Sequence, residues 1–165
     1  MSSKNYILTK EVAEKKLQRM AYEIVERNPG EDNIILAGIK ENGSVIAQKM
    51  MKLLRPIYSG QLNLIEISLD KKNLSHIHLS PEINLDEKVV IVADDVVNAG
   101  KTLLYALKPI LQFSPKKIQT LVLVERTHKA FPVTSDYVGL SIATTLEEHI
   151  IVEVEDNEIN GAYMI

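Results

Sequence analysis

The feature that most constrains this chain is an apolar run that ends in two adjacent acids. Residues 88–93 read Lys-Val-Val-Ile-Val-Ala, and Asp94 and Asp95 follow directly. A continuous run of branched apolar residues is typical of a strand buried on both faces, as in a parallel sheet. Buried strands seldom end in paired acids without a functional reason. Since open α/β sheets bind ligands at the carboxyl ends of their strands, the pair indicates a binding site there.

The rest of the chain alternates between helix and strand patterns. Thr9 is the expected N-cap of the first helix, and Pro109 is expected to kink or reset the third. Residues 70–87 carry no clear period and are predicted to be a mobile loop. The alternation predicts an α/β fold with a central parallel sheet flanked by helices. The predicted helices are 9–27, 45–54 and 100–113, and the predicted strands are 33–39, 62–69, 88–93, 118–124, 137–142 and 150–154.

Composition narrows the class of protein further. The 165 residues fit a single domain over 1–165, and 45% hydrophobic with 25% charged residues is ordinary for a soluble globular protein. With no cysteine, the chain cannot form disulfides, thiolate metal sites or a cysteine nucleophile. Residues 1–5 lack the apolar core of a signal peptide, and the aliphatic runs are too short to span a membrane. We therefore expect a cytoplasmic protein.

The segment after the two acids has the residue types of a phosphate site. Gly100 allows a close backbone approach, and Lys101 and Thr102 add a cation and a hydroxyl at the start of a predicted helix. A helix N-terminus offers free N–H groups and the positive end of the helix dipole, which suits a phosphate. The carboxylates of Asp94 and Asp95 can accept hydrogen bonds from hydroxyls or hold Mg²⁺ through water.

Other phosphate motifs fit this segment less well. A Walker loop requires glycine where Asp95 stands, and a dinucleotide fingerprint requires three spaced glycines where only Gly100 is present. A phospho-acceptor aspartate, as in receiver-like folds, stays open, although the acids of that fold lie mostly on separate strands. A polar turn between a core strand and a helix, with no ligand, also stays open.

The order of apolar strand, Asp94-Asp95, turn, Gly100, Lys101 and Thr102 resembles the signature with which type I phosphoribosyltransferases bind phosphoribosyl pyrophosphate (PRPP). The similarity extends over nearly the whole chain and is greatest to the PyrR subfamily of pyrimidine-operon regulators with uracil phosphoribosyltransferase activity. The segments that carry it are 26–28 (Glu-Arg-Asn), 38–40 (Gly-Ile-Lys), 124–129 (Val-Glu-Arg-Thr-His-Lys) and 136–139 (Asp-Tyr-Val-Gly).

The resemblance implies a type I phosphoribosyltransferase fold with a small β-rich hood. It also implies transfer of a phosphoribosyl group from PRPP to a nucleobase, and uracil is the base that the resemblance favours. Mg²⁺ is the implied cofactor, and a homo-oligomer is the implied assembly. Asp94 and Asp95 would bind the ribose hydroxyls, and residues 70–87, with Lys71, would be the flexible catalytic hood. The other implied sites are a 5′-phosphate loop of Val97, Asn98, Ala99, Gly100, Lys101 and Thr102; a pyrophosphate loop of Lys40, Glu41, Asn42 and Gly43; and a base pocket of Glu125, Arg126, Thr127 and His128, in which Glu125 contacts the metal through water.

Three departures from the family pattern lead to an alternative. Ala99 replaces a threonine of the phosphate loop, Glu41-Asn42 stands where an arginine precedes the glycine, and Asp70-Lys71 replaces a tyrosine-arginine pair. Lysine supplies charge but lacks the bidentate fork of arginine. The alternative is a catalytically weakened regulator that binds PRPP or a nucleotide.

RNA attenuation, the second role of the PyrR subfamily, is a third hypothesis and the least favoured one. Arg19 matches a basic position of the subfamily, but Tyr22 replaces a histidine, and Lys129 and Thr134 replace arginines. Protein–RNA affinity depends largely on neutralising phosphates, and the net charge of the chain is −3. No partner other than the small-molecule substrates and further copies of the chain is expected.

Overall fold

The computed structural model of the chain describes residues 4–165. The central six-stranded sheet has the order β4-β3-β2-β5-β6-β7, in which β4 is antiparallel to β3 and the other neighbours are parallel. A separate three-stranded antiparallel sheet has the order β1-β9-β8. In chain order the elements are β1 Asn5–Thr9, α1 Lys10–Arg27, β2 Asn33–Ile39, α2 Asn42–Leu54, β3 Gln61–Asp70, β4 Asn73–Ser80, β5 Val89–Val97, α3 Lys101–Ala106, β6 Lys117–Arg126, β7 Tyr137–Ile142, β8 Ile150–Glu155 and β9 Glu158–Met164.

The apolar residues of the central strands belong to two hydrophobic cores, one on each face of the sheet. Along β2, Ile34 and Leu36 belong to the core that contains α1 and α2. Ile35, Ala37 and Ile39 belong to the other core, which contains α3. Because successive side chains of a strand point to opposite faces, a strand covered on both sides is apolar at every position. The predicted α/β architecture is therefore confirmed.

The first helix follows its prediction closely. The Thr9 hydroxyl accepts a hydrogen bond from the Val12 N–H at 3.2 Å, as expected of an N-cap. The predicted apolar face is buried along its whole length, and α1 packs against α2 and β7. None of the helices within residues 4–165 is long and apolar enough to cross a membrane.

The structure corrects two predictions, the mobile loop over residues 70–87 and the length of the third helix. The prediction of a mobile loop over residues 70–87 fails because 73–80 form β4, an edge strand paired with β3. Leu79 is buried and Ile77 half-buried, whereas His76 and His78 are exposed, so the apolar residues alternate with polar ones as on an edge strand. The third helix ends at Ala106 instead of at residue 113, before Pro109, which has no N–H to donate. The chain continues in turns that still bury Ile110.

The strands of the small sheet lie at the two ends of the chain. The sequence patterns predict β8 but not β1 or β9, and β1 pairs with β9 across nearly the full length of the chain. The Lys49 ammonium on α2 lies 2.8 Å from the Glu158 carboxylate on β9 and links the small sheet to the helical layer. The Asn42 amide at the start of α2 lies 3.5 Å from the Val152 carbonyl on β8. The small sheet therefore lies beside the carboxyl ends of the central strands.

Candidate active site

The two acids lie inside the central strand rather than after it. Asp94 and Asp95 are 5% and 7% exposed, and β5 continues beyond them to Val97 because Val96 still pairs with Val124 on β6. The Asp94 carboxylate accepts the Asp95 N–H at 2.9 Å, and the Asp95 carboxylate accepts the Val96 N–H at 2.7 Å. Backbone donors thus hold both carboxyl groups in place at the carboxyl-terminal edge of the sheet.

The surroundings of Asp94 disfavour its charge. Burial, followed by the neighbouring Asp95 carboxylate, raises the pKa of Asp94 well above the ordinary carboxyl value, and the Lys71 ammonium opposes this shift. A group whose ionised form is destabilised by a like charge gains most from a nearby cation or hydroxyl donor. The pair is therefore suited to bind a ligand that supplies one or both.

The predicted pyrophosphate loop is partly helical. Lys40 and Glu41 form a turn, but Asn42 and Gly43 are the first residues of α2, which begins three residues before its predicted start. Gly43 packs directly on the acidic pair, since a Cβ there would lie 2.7 Å from the Ala93 carbonyl oxygen and 3.2 Å from Asp94 Oδ1. The Asn42 amide donates to Asp95 Oδ2 at 2.8 Å. The start of α2 is thus joined to the acids on β5.

Glu41 has an unusual backbone. Its φ of 76° lies in the region that favours glycine, and its side chain makes no capping hydrogen bond to α2. Such backbone strain persists only where the surrounding structure enforces it, and it concentrates at binding sites. The Lys40 N–H, one residue earlier, donates to the Ile67 carbonyl at 2.9 Å and ties the turn to β3.

The predicted 5′-phosphate loop encloses a cavity of about 220 Å³. Gly100 has φ 88°, a conformation that a glycine adopts without steric cost. The Ala99 carbonyl accepts the N–H groups of Ala130 and Phe131 at 3.0 and 3.1 Å, which holds the loop against the segment after β6. We call this space the phosphate-loop cavity; it is lined by Lys71, Asp94, Val96, Val97, Asn98, Ala99, Gly100, Lys101, Thr102 and Leu103.

The phosphate-loop cavity brings together residues that are far apart in the sequence. All six residues of the predicted phosphate loop line it, together with Asp94 from β5 and Lys71 from the turn between β3 and β4. The ammonium groups of Lys71 and Lys101 and the hydroxyl of Thr102 suit an anion. The cavity therefore has the donors and charge that a phosphate group requires.

The predicted base-pocket residues divide into two groups. The Arg126 guanidinium donates to the Thr145 carbonyl at 3.1 Å and to the Glu148 carbonyl, so it holds the segment between β7 and β8. Thr127 and His128 are exposed just beyond the end of β6. The contact from Arg126 to this segment was missed because it runs to backbone carbonyls, which leave no pattern in a sequence.

The Glu125 carboxylate is held by two neighbouring side chains, one on β7 and one just beyond the end of β6. Its carboxylate accepts the Ser141 hydroxyl at 2.7 Å and lies 3.2 Å from the Lys129 ammonium. Burial raises the pKa of Glu125, but the hydrogen bonds from Ser141 and Lys129 outweigh burial and lower it overall. Glu125 is therefore ionised at neutral pH, as a water-mediated metal contact requires.

The carboxylates fit Mg²⁺ only together with a ligand. Within residues 4–165, no three side chains among His, Asp and Glu are grouped closely enough to hold a metal ion. Magnesium is commonly held by one or two carboxylates together with waters and substrate phosphates. Asp94, Asp95 and Glu125 offer oxygen donors of this kind, so the donor chemistry fits a magnesium ion that arrives with a phosphorylated substrate.

Comparison with known proteins decides the family. Residues 4–158 match the family described as "Phosphoribosyl transferase domain". The chain belongs to the phosphoribosyltransferase family. It is 33% identical over 171 residues to the Bifunctional protein PyrR of Clostridioides difficile, covering 98% of this chain and 96% of that one. It is 35% identical over 158 residues to the Bifunctional protein pyrR of Enterococcus faecalis, covering 90% of this chain and 89% of that one.

Solved phosphoribosyltransferases share the fold. The hypoxanthine phosphoribosyltransferase of Trypanosoma cruzi matches with a TM-score of 0.80 at 16% identity, covering 98% of this chain and 96% of that one. A hypoxanthine-guanine phosphoribosyltransferase of Bacillus anthracis matches with a TM-score of 0.74 at 21% identity, covering 92% and 88%. The predicted similarity to PyrR and the predicted type I fold are both confirmed.

Proposed function

We propose that this phosphoribosyltransferase transfers the 5-phosphoribosyl group of PRPP to a nucleobase, with uracil as the preferred base, and releases pyrophosphate. The observation that carries the proposal is the buried pair Asp94 and Asp95, which lies beside the phosphate-loop cavity and is hydrogen-bonded to the start of α2. A ribose with a phosphate on one side and a pyrophosphate on the other requires hydroxyl acceptors between two anion sites. The curated relatives named PyrR support the same reaction class.

In this proposal, the chain works by positioning and electrostatics. The Asp94 and Asp95 carboxylates accept the ribose hydroxyls and stabilise the positive charge that develops at the anomeric carbon as the bond to pyrophosphate breaks. The backbone N–H groups around Gly100, with Lys101 and Thr102, hold the 5′-phosphate. The attacking nitrogen belongs to the base, so the reaction needs no protein nucleophile.

The leaving group needs cations that the chain supplies only in part. Lys71 lies on the turn between β3 and β4 and lines the phosphate-loop cavity, from which its ammonium group can reach a bound phosphate. Asp94, Asp95 and Glu125 would hold Mg²⁺ together with the substrate, Glu125 through a water. When bound, Mg²⁺ neutralises charge on the departing pyrophosphate.

The base pocket is proposed at the end of β6. Glu125, Arg126, Thr127 and His128 lie where β6 ends at the carboxyl edge of the sheet. Arg126 serves the pocket indirectly, because it fixes the segment 145–148 by two backbone carbonyls.

A second candidate is a regulator that binds PRPP or a nucleotide and turns it over slowly. Glu41 favours this candidate, because it belongs to the predicted pyrophosphate loop, in which an arginine is usual, and a carboxylate there would repel a pyrophosphate. RNA binding is not part of either candidate. The Arg19 guanidinium pairs with Glu23 and donates to the Val138 carbonyl at 2.9 Å, and Lys129 is paired with Glu125, so both cations are already engaged.

The deciding experiment separates binding from turnover. Mg²⁺-PRPP is titrated by calorimetry, and then uracil, hypoxanthine and guanine are offered singly while nucleotide formation is followed. We expect PRPP binding and formation of UMP, with both lost in Asp94→Asn/Asp95→Asn. Asp32→Asn is the matched control, because Asp32 is exposed at the opposite edge of the sheet.

Each result has a distinct meaning. Binding without turnover on any base replaces the transferase by the regulator. Turnover of a purine but not uracil keeps the transferase and removes the preference for uracil. Absence of PRPP binding overturns the transferase, and absence of binding of both PRPP and UMP, titrated in the same way, overturns both candidates. The homo-oligomer and the cytoplasmic location stay predictions, which light scattering and cell fractionation test.

A further inference from the structure

Four lysines surround a groove of about 330 Å³ beside the phosphate-loop cavity. Lys71 and Lys72 lie on the turn that joins β3 to β4, and Lys101 and Lys108 lie at the start of α3 and just beyond its end. All four side chains are exposed. We call this space the lysine groove; it is lined by Lys71, Lys72, Leu74, Ser75, Lys101, Tyr105 and Lys108.

The groove has two facing walls. Lys101, Tyr105 and Lys108 are spaced by four and three residues, so they lie along one face of α3 and the turn that follows it. The hairpin turn with Lys71 and Lys72 forms the opposite wall. A ligand in the groove would therefore meet cations from both sides.

The lysines of the groove are not neutralised by direct ion pairs within the described residues. In the part of the chain that the structure describes, none of the four lysines takes part in an ion pair. Among residues 4–165, no acidic residue lines the groove. Asp70, the acid nearest in sequence, uses its carboxylate to accept the Lys72 N–H at 2.9 Å within the turn. Four like charges in a chain of net charge −3 form a local field that attracts anions.

We infer that the lysine groove binds the polyphosphate chain of a small phosphorylated ligand, such as a nucleoside triphosphate. Lysine is a common phosphate ligand, and cations on two walls suit several linked phosphates better than a single one. Tyr105 places a half-buried aromatic ring in the same groove, with the Lys108 ammonium 5.8 Å from the ring centre. A base can pack on such a ring while its phosphates reach the lysines.

The lysine groove is distinct from the site proposed for PRPP. Asp94 and residues 97–100 line the phosphate-loop cavity but not the groove, whereas Lys72, Tyr105 and Lys108 line only the groove. Lys71 and Lys101 line both. Because two anions would share these cations, each ligand is expected to weaken the binding of the other by the same factor.

The test uses a variant that leaves the proposed catalytic residues intact. Lys108→Gln removes a cation that lines only the groove and lies outside the hood residues 70–87, and Lys52→Gln, in the last turn of α2, is the control with equal loss of charge. Inorganic tripolyphosphate and a nucleoside triphosphate are titrated with and without saturating Mg²⁺-PRPP. We expect the groove variant to lose at least about tenfold in affinity for both, since each charge-assisted contact is strong, and the control to bind as the wild type.

Further arms separate the possible ligands. Tyr105→Leu should weaken the binding of the nucleoside triphosphate but not that of tripolyphosphate. If the binding of both is weakened equally, the ring does not contact the base. The inference is overturned if the groove variant binds like the control, if PRPP abolishes tripolyphosphate binding completely, or if a single-stranded RNA binds where free polyphosphates do not. Formation of UMP by the groove variant at the wild-type rate separates this result from a failure of the proposed transferase.

Discussion

Asn42 is the residue at which the proposed site can be tested most directly. Its amide donates to Asp95 Oδ2 at 2.8 Å and connects the start of α2 with the acidic pair. Asn42→Ala removes this hydrogen bond, and Asn42→Asp also places a further carboxyl group beside Asp95. Neither change introduces a larger side chain, so the packing of α2 on β5 is expected to persist.

The expected loss of PRPP affinity differs between the two variants, because one removes a hydrogen bond and the other also adds a charge. A hydrogen bond to a charged group contributes about 1.5–3 kcal/mol, which is the upper limit of what losing the orientation of Asp95 can cost, so Asn42→Ala should weaken Mg²⁺-PRPP binding by up to roughly 100-fold. Two like charges about 4 Å apart near a protein surface repel by about 4 kcal/mol. Asn42→Asp should therefore bind PRPP more weakly than Asn42→Ala at neutral pH, and should recover part of the affinity in acid, where the introduced carboxyl group is protonated.

Calorimetric titration of Mg²⁺-PRPP at about pH 7.5 and about pH 5.5 measures both effects. Asn63→Asp is the matched control, because the half-buried Asn63 amide contacts Asn33 Oδ1 at 3.4 Å, near the amino ends of β2 and β3. Urea unfolding of each variant reports any general loss of stability. Wild-type affinity in Asn42→Ala, or an Asn42→Asp variant whose affinity does not recover in acid, would refute the role given to this amide.

Three further changes test the described contacts. Asp94→Asn should raise the free energy of unfolding relative to the wild type, and the gain should grow as the pH rises above about 4. The reason is that the folded state holds the Asp94 proton more tightly than the unfolded chain does. A gain in urea unfolding that does not vary with pH contradicts this. Gly100→Ala should cost about 1–2 kcal/mol and weaken PRPP binding, since φ is 88° and the new Cβ would lie 2.7 Å from Val133 Cγ1; unchanged calorimetry and unfolding would count against it. Asn28→Ala should cost about 3 kcal/mol in urea unfolding, because the buried amide bonds to the Tyr137 hydroxyl at 3.2 Å and to backbone; a cost no larger than that of Tyr137→Phe would show that the amide is dispensable.

The core of the fold could be predicted from the residues alone. The strand β2 occupies 33–39 as predicted, because a doubly covered strand is apolar at every position and its pattern is local. The edge strand β7 also occupies 137–142 as predicted. The helix α1 could be predicted because its apolar face and its Thr9 cap are properties of neighbouring residues. The strand β4 was missed because its short alternation of polar and apolar residues is weak without the partner strand.

The sequence by itself determined which residues carry the chemistry of the candidate site. The order of apolar strand, two acids, glycine, lysine and threonine is local, and it identified Asp94, Asp95 and the phosphate loop. Only the tertiary structure decided how far these residues cooperate. The Asn42 amide on Asp95, Lys71 in the phosphate-loop cavity and Arg126 on the backbone of 145–148 join segments far apart in the chain. Such contacts depend on how the strands are ordered in the sheet, and pairing between distant segments leaves no local pattern in a single sequence.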